Sequence, residues 1–468
     1  MKTTRRSVIL GSAAFLSGVP SLFAIGSTSP RRPAASERVS LGVIGCGGMG
    51  WANTQVLLAD PRVQVTVVCD VVAGYPDRRN EGGFLGYEWF RANVDKFYGK
   101  PGCRVTSDWR EVVTDPKVDA VLIATADHWH AKIAKEAMLN GKHVYCQKPL
   151  TLGINEGREL VRLAKQTGVT FQVGNQGRSN SVKRIAAEIV RNGYLGECRS
   201  ARVLIPGGPD YGYVGQKGKS TARGTRPSFI TPEGWKMYLG PSQHWEDDVY
   251  IPAIHDAMVW RCNRRTGNGV IPDFGAHDVD TVQWAIGKDR SGPVAIENAK
   301  FADWDQPRDV LTWANTFSFD LVYADGFRCH VANYDSRKGE HRSVTFNGSV
   351  GTLVEGLYSG MPVKLQLPPA LKKWREKTDL KDTDVRFHAP KDGHPHEQDF
   401  IDGIYGGATA TDCEIGHRTT TVCLLANICQ TLGVSGLTWD PVNEVFTGPN
   451  AAEANKLLDV PYLNGWKL

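Results

Sequence analysis

The sequence predicts two unlike domains. An α/β unit with a parallel sheet covers residues 38–177, and an α+β unit with an open, mainly antiparallel sheet covers residues 178–436. Three observations lead there. The segment after residue 38 runs from a β-rich stretch through a glycine loop into a helical pattern, and "VQVTVVCD" (63–70) supplies the next strand. "VDAVLIAT" (118–125) is a near-continuous apolar run, as a parallel strand buried on both faces requires. Beyond residue 178, β-rich stretches such as "ECRSARVLI", "TWANTFSFDLVY" and "FRCHVANY" alternate with few long helices. A chain of 468 residues also exceeds the usual size of one domain.

Residues 1–37 are set apart from the fold. "TTRRSVILGSAAFLSGVPSLFA" places Arg5 and Arg6 ahead of a short apolar stretch rich in small residues, broken by Gly11, Gly18 and Pro20. That pattern reads as a twin-arginine export signal, with a linker up to residue 37, and implies a periplasmic or otherwise exported protein. No other segment approaches the length of a membrane span, so no membrane partner is expected after export. The formal charge of +5, from 55 basic and 50 acidic residues, is too balanced and scattered to argue for nucleic acid. Of the ten cysteines, Cys46, Cys69 and Cys146 fall in or beside apolar strand patterns, where small buried thiols fit, so mostly free thiols are expected.

The glycine loop Gly45-Cys46-Gly47-Gly48-Met49-Gly50 satisfies G-x-G-x-x-G between a strand and a helix, and Asp70 follows 20 positions after Gly50. This is the Rossmann arrangement: the glycines let the backbone approach a pyrophosphate at a helix N-terminus, and the acid accepts from a ribose hydroxyl. An acid there repels a 2′-phosphate, which favours NAD over NADP, while Arg78 and Arg79 keep NADP open. The loop Thr125-Ala126-Asp127-His128-Trp129-His130 falls at the carboxyl end of the next strand. Thr125, His128 and His130 are read as cap and wall for the cofactor. No cysteine or acid completes a ligand set around the histidines, so no metal is expected.

The next strand ends in "YCQKPL", with Gln147, Lys148 and Pro149 at its tip. In "DFGAHDVDTVQWAIG" (273–287), Asp273 and His277 stand one helical turn apart and Asp280 three further on. A histidine beside a carboxylate suits a general base. Asn175 and Arg178 fall in "QVGNQGRSN" (172–180), which follows a strand and on its own reads as an interdomain turn. "WRCNRRTGNG" offers Trp260 and Arg261 as a stacking face with a donor for a sugar, and His396 in "GHPHEQDF" is placed at the pocket mouth.

Taken together, the glycine loop, "TADHWHAKIAKEAMLNGKHVYCQKPL" and "DFGAHDVDTVQWAIG" resemble the glucose–fructose oxidoreductase/inositol dehydrogenase family (Gfo/Idh/MocA) over most of residues 38–436. The resemblance implies that Lys148 stands beside the nicotinamide and the reacting hydroxyl, and that Asp273 and His277 form a catalytic pair. On that basis His277 takes the hydroxyl proton, Asp273 orients or relays, Asp280 is a weaker candidate, either a substrate contact or a helix cap, and the joint at Asn175 and Arg178 contributes to cofactor and substrate walls. Gln147, read as a cofactor-binding residue, departs from the family's acid at that place; an amide cannot pair with Lys148 as a charge, which leaves the lysine easier to deprotonate. The late helices of "HEQDFIDGIYGG" and "EIGHRTTTVCLLANICQTLG" are implied to pack back on the first domain, ahead of a C-terminal tail at 437–468. A homo-oligomer, dimer or tetramer, is also implied. The leading function is an exported NAD(P)-dependent oxidoreductase acting on a sugar, polyol or glycoside hydroxyl with a tightly bound cofactor. The alternatives are an NAD-dependent glycosidase working by transient oxidation, and a non-catalytic sugar or dinucleotide sensor.

Overall fold

The computed structural model describes residues 37–77, 83–207, 224–242, 259–302, 312–356, 364–371 and 395–468. The export signal read around Arg5 and Arg6, the pair Arg78–Arg79 and His394 lie outside the described residues.

In the first unit, strand and helix alternate. β1 (Val39–Ile44), α1 (Gly48–Ala59) and β2 (Val63–Cys69) are followed by a small hairpin, β3 (Tyr75–Asp77) and β4 (Gly83–Leu85). Then come α2 (Tyr87–Tyr98), β5 (Arg104–Thr106), α3 (Trp109–Val113), β6 (Ala120–Ile123), α4 (His130–Leu139), β7 (His143–Gln147), α5 (Ile154–Thr167) and β8 (Phe171–Gly174). The six sheet strands pair in the order β5-β2-β1-β6-β7-β8, every pair parallel. β6 and β8 are buried along their whole length, because helices cover both faces of the sheet. Strand order reverses between β1 and β6, and sheets of this kind bind ligands at the carboxyl ends flanking that switch.

The second unit holds α6 (Ser181–Arg191), β9 (Cys198–Ile205), α7 (Pro232–Leu239), α8 (Val270–Ala285), β10 (Ala295–Ala302), β11 (Thr316–Val322), β12 (Arg328–Asn333), β13 (Ser343–Gly348), β14 (Gly351–Gly356) and β15 (Lys364–Gln366). After these come α9 (His396–Ile404), α10 (Cys413–Leu432), β16 (Leu437–Asp440), β17 (Val445–Thr447) and α11 (Ala451–Asn455). Nine strands form one open sheet, β15-β14-β13-β9-β12-β11-β10-β16-β17. Its pairs are antiparallel except β9 with β12. Arg202, Thr316, Arg328 and His330 are exposed along these strands, while the alternating Ala201, Phe317, Cys329 and Val331 enter the core.

One helix ties the units together. α10 begins at Asp412, whose Oδ1 accepts from the Ile415 N–H at 2.9 Å, and ends at Gly433 with φ +66°. Fifteen of its 20 residues are buried, since it packs on α5 and β8 on one side and on α8 and β10 on the other. Residues 437–468 prove to be more than a tail: β16 and β17 extend the large sheet, and the chain then returns to the first unit. There the Tyr462 hydroxyl donates to Glu156 at 2.6 Å, and the Trp466 ring lies against Trp109 and Trp129. The ten cysteines are thiols, nine of them buried. Among the described residues, no helix is long and apolar enough to cross a membrane.

Candidate active site

At the switch between β1 and β6, the glycines do three different jobs. Gly45 turns the chain out of β1 at φ +102°, and a Cβ there would meet the Ala124 backbone at 2.5 Å. At Gly50 a Cβ would run into the Gly45 carbonyl oxygen, so this glycine lets α1 approach the strand. Gly47 is different, because among the described residues the Tyr75 hydroxyl, at 3.7 Å, is all that its missing Cβ would approach. The space above Gly47 is therefore an open cradle. Gly47 also caps α1 without a side chain, no acid stands in the first turn from Gly48, and Met49 is exposed beside it. Unpaired N–H groups at a positive helix end, bordered by open space, fit a pyrophosphate.

Asp70 braces this loop from β2. Its Oδ2 accepts from the Cys46 N–H at 2.7 Å and its Oδ1 from the Val72 N–H at 3.0 Å. Burial pushes its carboxyl up to about 6, against the pull of those backbone donors. A carboxylate has about four acceptor directions, so lone pairs remain for a ribose hydroxyl. Thr125 sits half-buried at the end of β6, its hydroxyl directed to the Ala126 carbonyl at 3.2 Å.

The reacting end is marked by exposure. α8 is buried at every position except Asp273, Phe274 and His277, and Lys148 is half-buried in an otherwise buried strand tip. Lys148 Nζ donates to Asp273 Oδ1 at 2.6 Å and to the Asp273 carbonyl at 2.8 Å. Arg261 Nε stands 3.4 Å from the same carboxylate oxygen. Burial works to raise the Asp273 carboxyl, but Lys148 and Arg261 outweigh it and hold the group well below the usual carboxylate range. The charge partner that Gln147 cannot offer Lys148 thus comes from Asp273.

His277 is not partnered as its spacing suggested. The Asp273 carboxylate turns to Lys148 and Arg261, and His277 Nδ1 meets Asn175 Oδ1 at 3.1 Å. Two full cations outcompete a neutral ring for the carboxylate. With Asn175 Oδ1 as acceptor, Nδ1 carries the proton and Nε2 presents a lone pair. Burial, then Lys148 and Arg342, hold the ring far below its ordinary value, so it is neutral throughout the neutral range. Asn175 Nδ2 is buried beside it without a partner, a donor still to be used.

Several other residues stand elsewhere than the sequence suggested. His128 and His130 are buried, and each ring nitrogen faces a backbone carbonyl: Thr266 and Tyr238 for His128, Pro149 and Thr125 for His130. Burial pushes both down to about 4. They hold the loop, and neither turns a nitrogen toward a ligand. Arg178, 3 % exposed, makes a fork to Asp280 at 2.8 and 2.7 Å and a third contact to Asp289 at 3.0 Å. Thr419 donates to Asp280 as well. Arg178 and Asp280 satisfy each other inside the fold, so neither is available to a substrate. His396 is 2 % exposed, with Ser179 Oγ and the Val173 carbonyl on its nitrogens, and is not at a pocket mouth. Trp260 does lie near the site, with the Arg261 guanidinium 4.4 Å from its ring centre.

Asp127, between Thr125 and His128 in sequence, belongs to the site although no role is expected of it from the sequence. It is buried near Arg261, Asp273 and Lys148, and burial pushes its carboxyl up to about 8 against the pull of Arg261. Its placement at a strand's carboxyl end was the available signal. Among the described residues, no group of histidines, cysteines and acids is arranged to hold a metal.

Comparisons with known proteins follow this geometry. The profile described as "Oxidoreductase family, NAD-binding Rossmann fold" matches residues 87–175, and that described as "Oxidoreductase family, C-terminal alpha/beta domain" matches residues 179–468. The uncharacterized oxidoreductase YrbE of Bacillus subtilis is 26 % identical over 330 residues, 68 % of this chain and 77 % of that protein. A glycosyl hydrolase family 109 protein of Saccharopolyspora erythraea is 29 % identical over 207 residues, 41 % of this chain and 42 % of its own. A solved levoglucosan dehydrogenase, in complex with NADH and levoglucosan, has the same fold at TM-score 0.55 and 18 % identity, covering 86 % of this chain and 99 % of that one.

Proposed function

The chain belongs to the Gfo/Idh/MocA family of NAD-dependent oxidoreductases, and from that premise we propose that it oxidises a hydroxyl of a sugar, polyol or glycoside at the cluster of Lys148, Asp273 and His277. The observation that carries this reading is the 2.6 Å pair of Lys148 with Asp273, one helical turn from a neutral His277, with Asp273 and His277 on two of the three half-buried positions of α8. When bound, NAD would supply the acceptor for the hydride of the carbinol carbon. Gly47 and the first turn of α1 would hold its pyrophosphate, and Asp70 its ribose.

The protein's own part is proton handling and charge. His277 Nε2 accepts the hydroxyl proton, while Asn175 Oδ1 fixes the tautomer by accepting from Nδ1. Lys148 donates to the same substrate oxygen and stabilises the negative charge that develops there as the proton leaves, until loss of hydride turns the alkoxide into a carbonyl. Asp273 and Arg261 keep the ammonium aimed; Asp273 therefore acts through Lys148 rather than through His277. Trp260 and Phe274 supply apolar faces for a sugar ring.

The likeness to a family 109 glycosyl hydrolase supports a second reading. Oxidation at one carbon acidifies its neighbour, permits elimination of the aglycone, and is undone by water addition and re-reduction. Export through the twin-arginine route is part of the proposal, supported by Arg5-Arg6 and the apolar stretch after them. An exported enzyme without access to a cytosolic NAD pool needs a tightly held cofactor. A homo-oligomer is also proposed, supported by the breadth of the open nine-stranded sheet.

The test incubates purified protein, without added NAD, with a panel of glycosides and polyols. Accumulating keto-sugar supports net oxidation, and free aglycone without NADH supports the glycosidase. Absence of both across the panel, with NAD bound, contradicts the enzymatic reading.

A further inference from the structure

Behind the strand tip runs a buried chain of polar side chains that the reaction does not itself use. Glu397, on α9, is 5 % exposed. Its Oε1 accepts from Asn53 Nδ2 and, at 3.4 Å, from the Tyr145 hydroxyl, to which Gln176 donates at 3.2 Å. Asn53 is buried on α1, the helix that springs from the glycine loop, and its Oδ1 accepts from Gln147 Nε2 at 2.7 Å. Gln147, 4 % exposed, is the last residue of β7 and immediately precedes Lys148.

Chemistry fixes the direction of this chain. A carboxylate only accepts. Asn53 must therefore turn its NH2 group to Glu397, which leaves its carbonyl for Gln147, and Gln147 must in turn give its NH2 group to Asn53. The Gln147 carbonyl oxygen is left over, and among the described residues nothing donates to it. The amide is also held in place from the other side. A Cβ at Gly174 would lie 2.7 Å from its nitrogen and 3.1 Å from its oxygen, so a glycine opposite is what lets it lie there.

We propose that Glu397, acting through Asn53, sets Gln147 with its carbonyl oxygen as a hydrogen-bond acceptor for the bound dinucleotide, serving a ribose hydroxyl or carboxamide N–H beside Lys148. Glu397 is then a positioning residue, and it rests on the cofactor assignment above. A protonated Glu397 can donate to Asn53 Oδ1, whereupon both amides can turn over and Gln147 presents N–H groups instead. Burial raises the Glu397 carboxyl above its ordinary value, opposed by bonds from Asn53, Gln176 and Tyr145. The titratable groups around it are Tyr145 on β7, and His396 and Asp399 on its own helix, and among the described residues it forms no salt bridge. Glu397 loses its charge as pH falls through that raised value, so the accepting arrangement holds above it and fades below.

The experiment titrates NAD calorimetrically into the full chain, freed of copurified nucleotide, from neutral to mildly acid pH. Wild type should bind more weakly as pH falls. Glu397→Gln, which can donate or accept, should bind several-fold more weakly at neutral pH and lose part of that pH dependence, the remainder belonging to Asp70. Gln147→Met fills the space without an acceptor and should weaken binding about tenfold, or about 1.4 kcal/mol. Thermal melts of each variant establish that it is folded; Gln147→Met leaves Glu397 and Asn53 paired, so it tests the idea even if Glu397→Gln does not fold. Wild-type affinity in Gln147→Met, or an unchanged pH profile in Glu397→Gln, overturns the proposal. No NAD binding by wild type at any pH would instead overturn the cofactor assignment beneath it.

Discussion

Replacing Lys148 with methionine keeps most of the length of the side chain and removes its charge, and the structure separates the consequences for stability and for catalysis. For stability, Asp273 loses an ammonium 2.6 Å away and retains Arg261 at 3.4 Å. At an effective dielectric of about 20, unit charges at those separations attract by roughly 6 and roughly 5 kcal/mol before desolvation. Asp273 is therefore not orphaned. The cost should be about 1 kcal/mol, not the ~3–5 kcal/mol of a buried charge left alone, and the melting temperature should drop by only a few degrees. For catalysis, nothing replaces the donor to the developing alkoxide. Loss of one such donor costs about 10²–10³ in kcat, or about 2.7–4 kcal/mol. The assay is steady-state NADH formation on whichever panel substrate turns over, beside NAD titration and a thermal melt. The expected pattern is a large fall in kcat, unchanged NAD affinity and a small loss of stability. A kcat within tenfold of wild type would refute the role given to Lys148, and a collapse of the fold would refute the reasoning about Arg261.

Three further outcomes follow from the same geometry. His277 must be neutral to accept a proton and is held far below the ordinary histidine value. The rate should therefore show no histidine-like fall as pH drops from about 8 through about 6.5, and His277→Gln should cost about 10²–10⁴ in kcat; an acid limb at the ordinary histidine value would contradict this. Gly47→Ala should fold normally yet lose NAD affinity, because its Cβ enters the open cradle, whereas Gly50→Ala should lower the melting temperature because it meets the Gly45 carbonyl; calorimetry and melts distinguish the two. Arg178→Leu strands Asp280 in the interior and should cost about 3–5 kcal/mol of stability while leaving KM for substrate within about twofold, and a KM change without a stability change would return Arg178 to the site.

Local pattern carried much of this protein. The spacing from Gly45 to Asp70, the apolar run at 118–125 and the change of pattern after residue 178 were enough to read both units. They rest on periodicity and glycine chemistry, which are properties of neighbouring residues. Pairing across the chain was not legible. Lys148 and Asp273 stand 125 positions apart and Asn53 and Glu397 stand 344 apart, and no local rule matches such partners. The i, i+4 spacing of Asp273 and His277 put them on one face correctly but could not show that a lysine and an arginine would take the carboxylate. Burial was equally hidden: Arg178, Asp280 and His396 look like polar site residues in sequence, and only packing shows that each is spent on an internal partner. The strands Leu437–Asp440 and Val445–Thr447 are too short to announce themselves.

Direct hydride transfer at the Lys148–Asp273–His277 cluster is tested most plainly by isotope. The protein is incubated with a panel glycoside or polyol deuterated at its hydroxyl-bearing carbons, quenched with alkali, in which the reduced cofactor survives, and the released nicotinamide cofactor is weighed by mass spectrometry. Wild type should return cofactor carrying one deuterium, and Lys148→Met and His277→Gln should return almost none over the same time. Keto-sugar formed with an unlabelled cofactor, or labelling that both variants leave unchanged, would contradict the account.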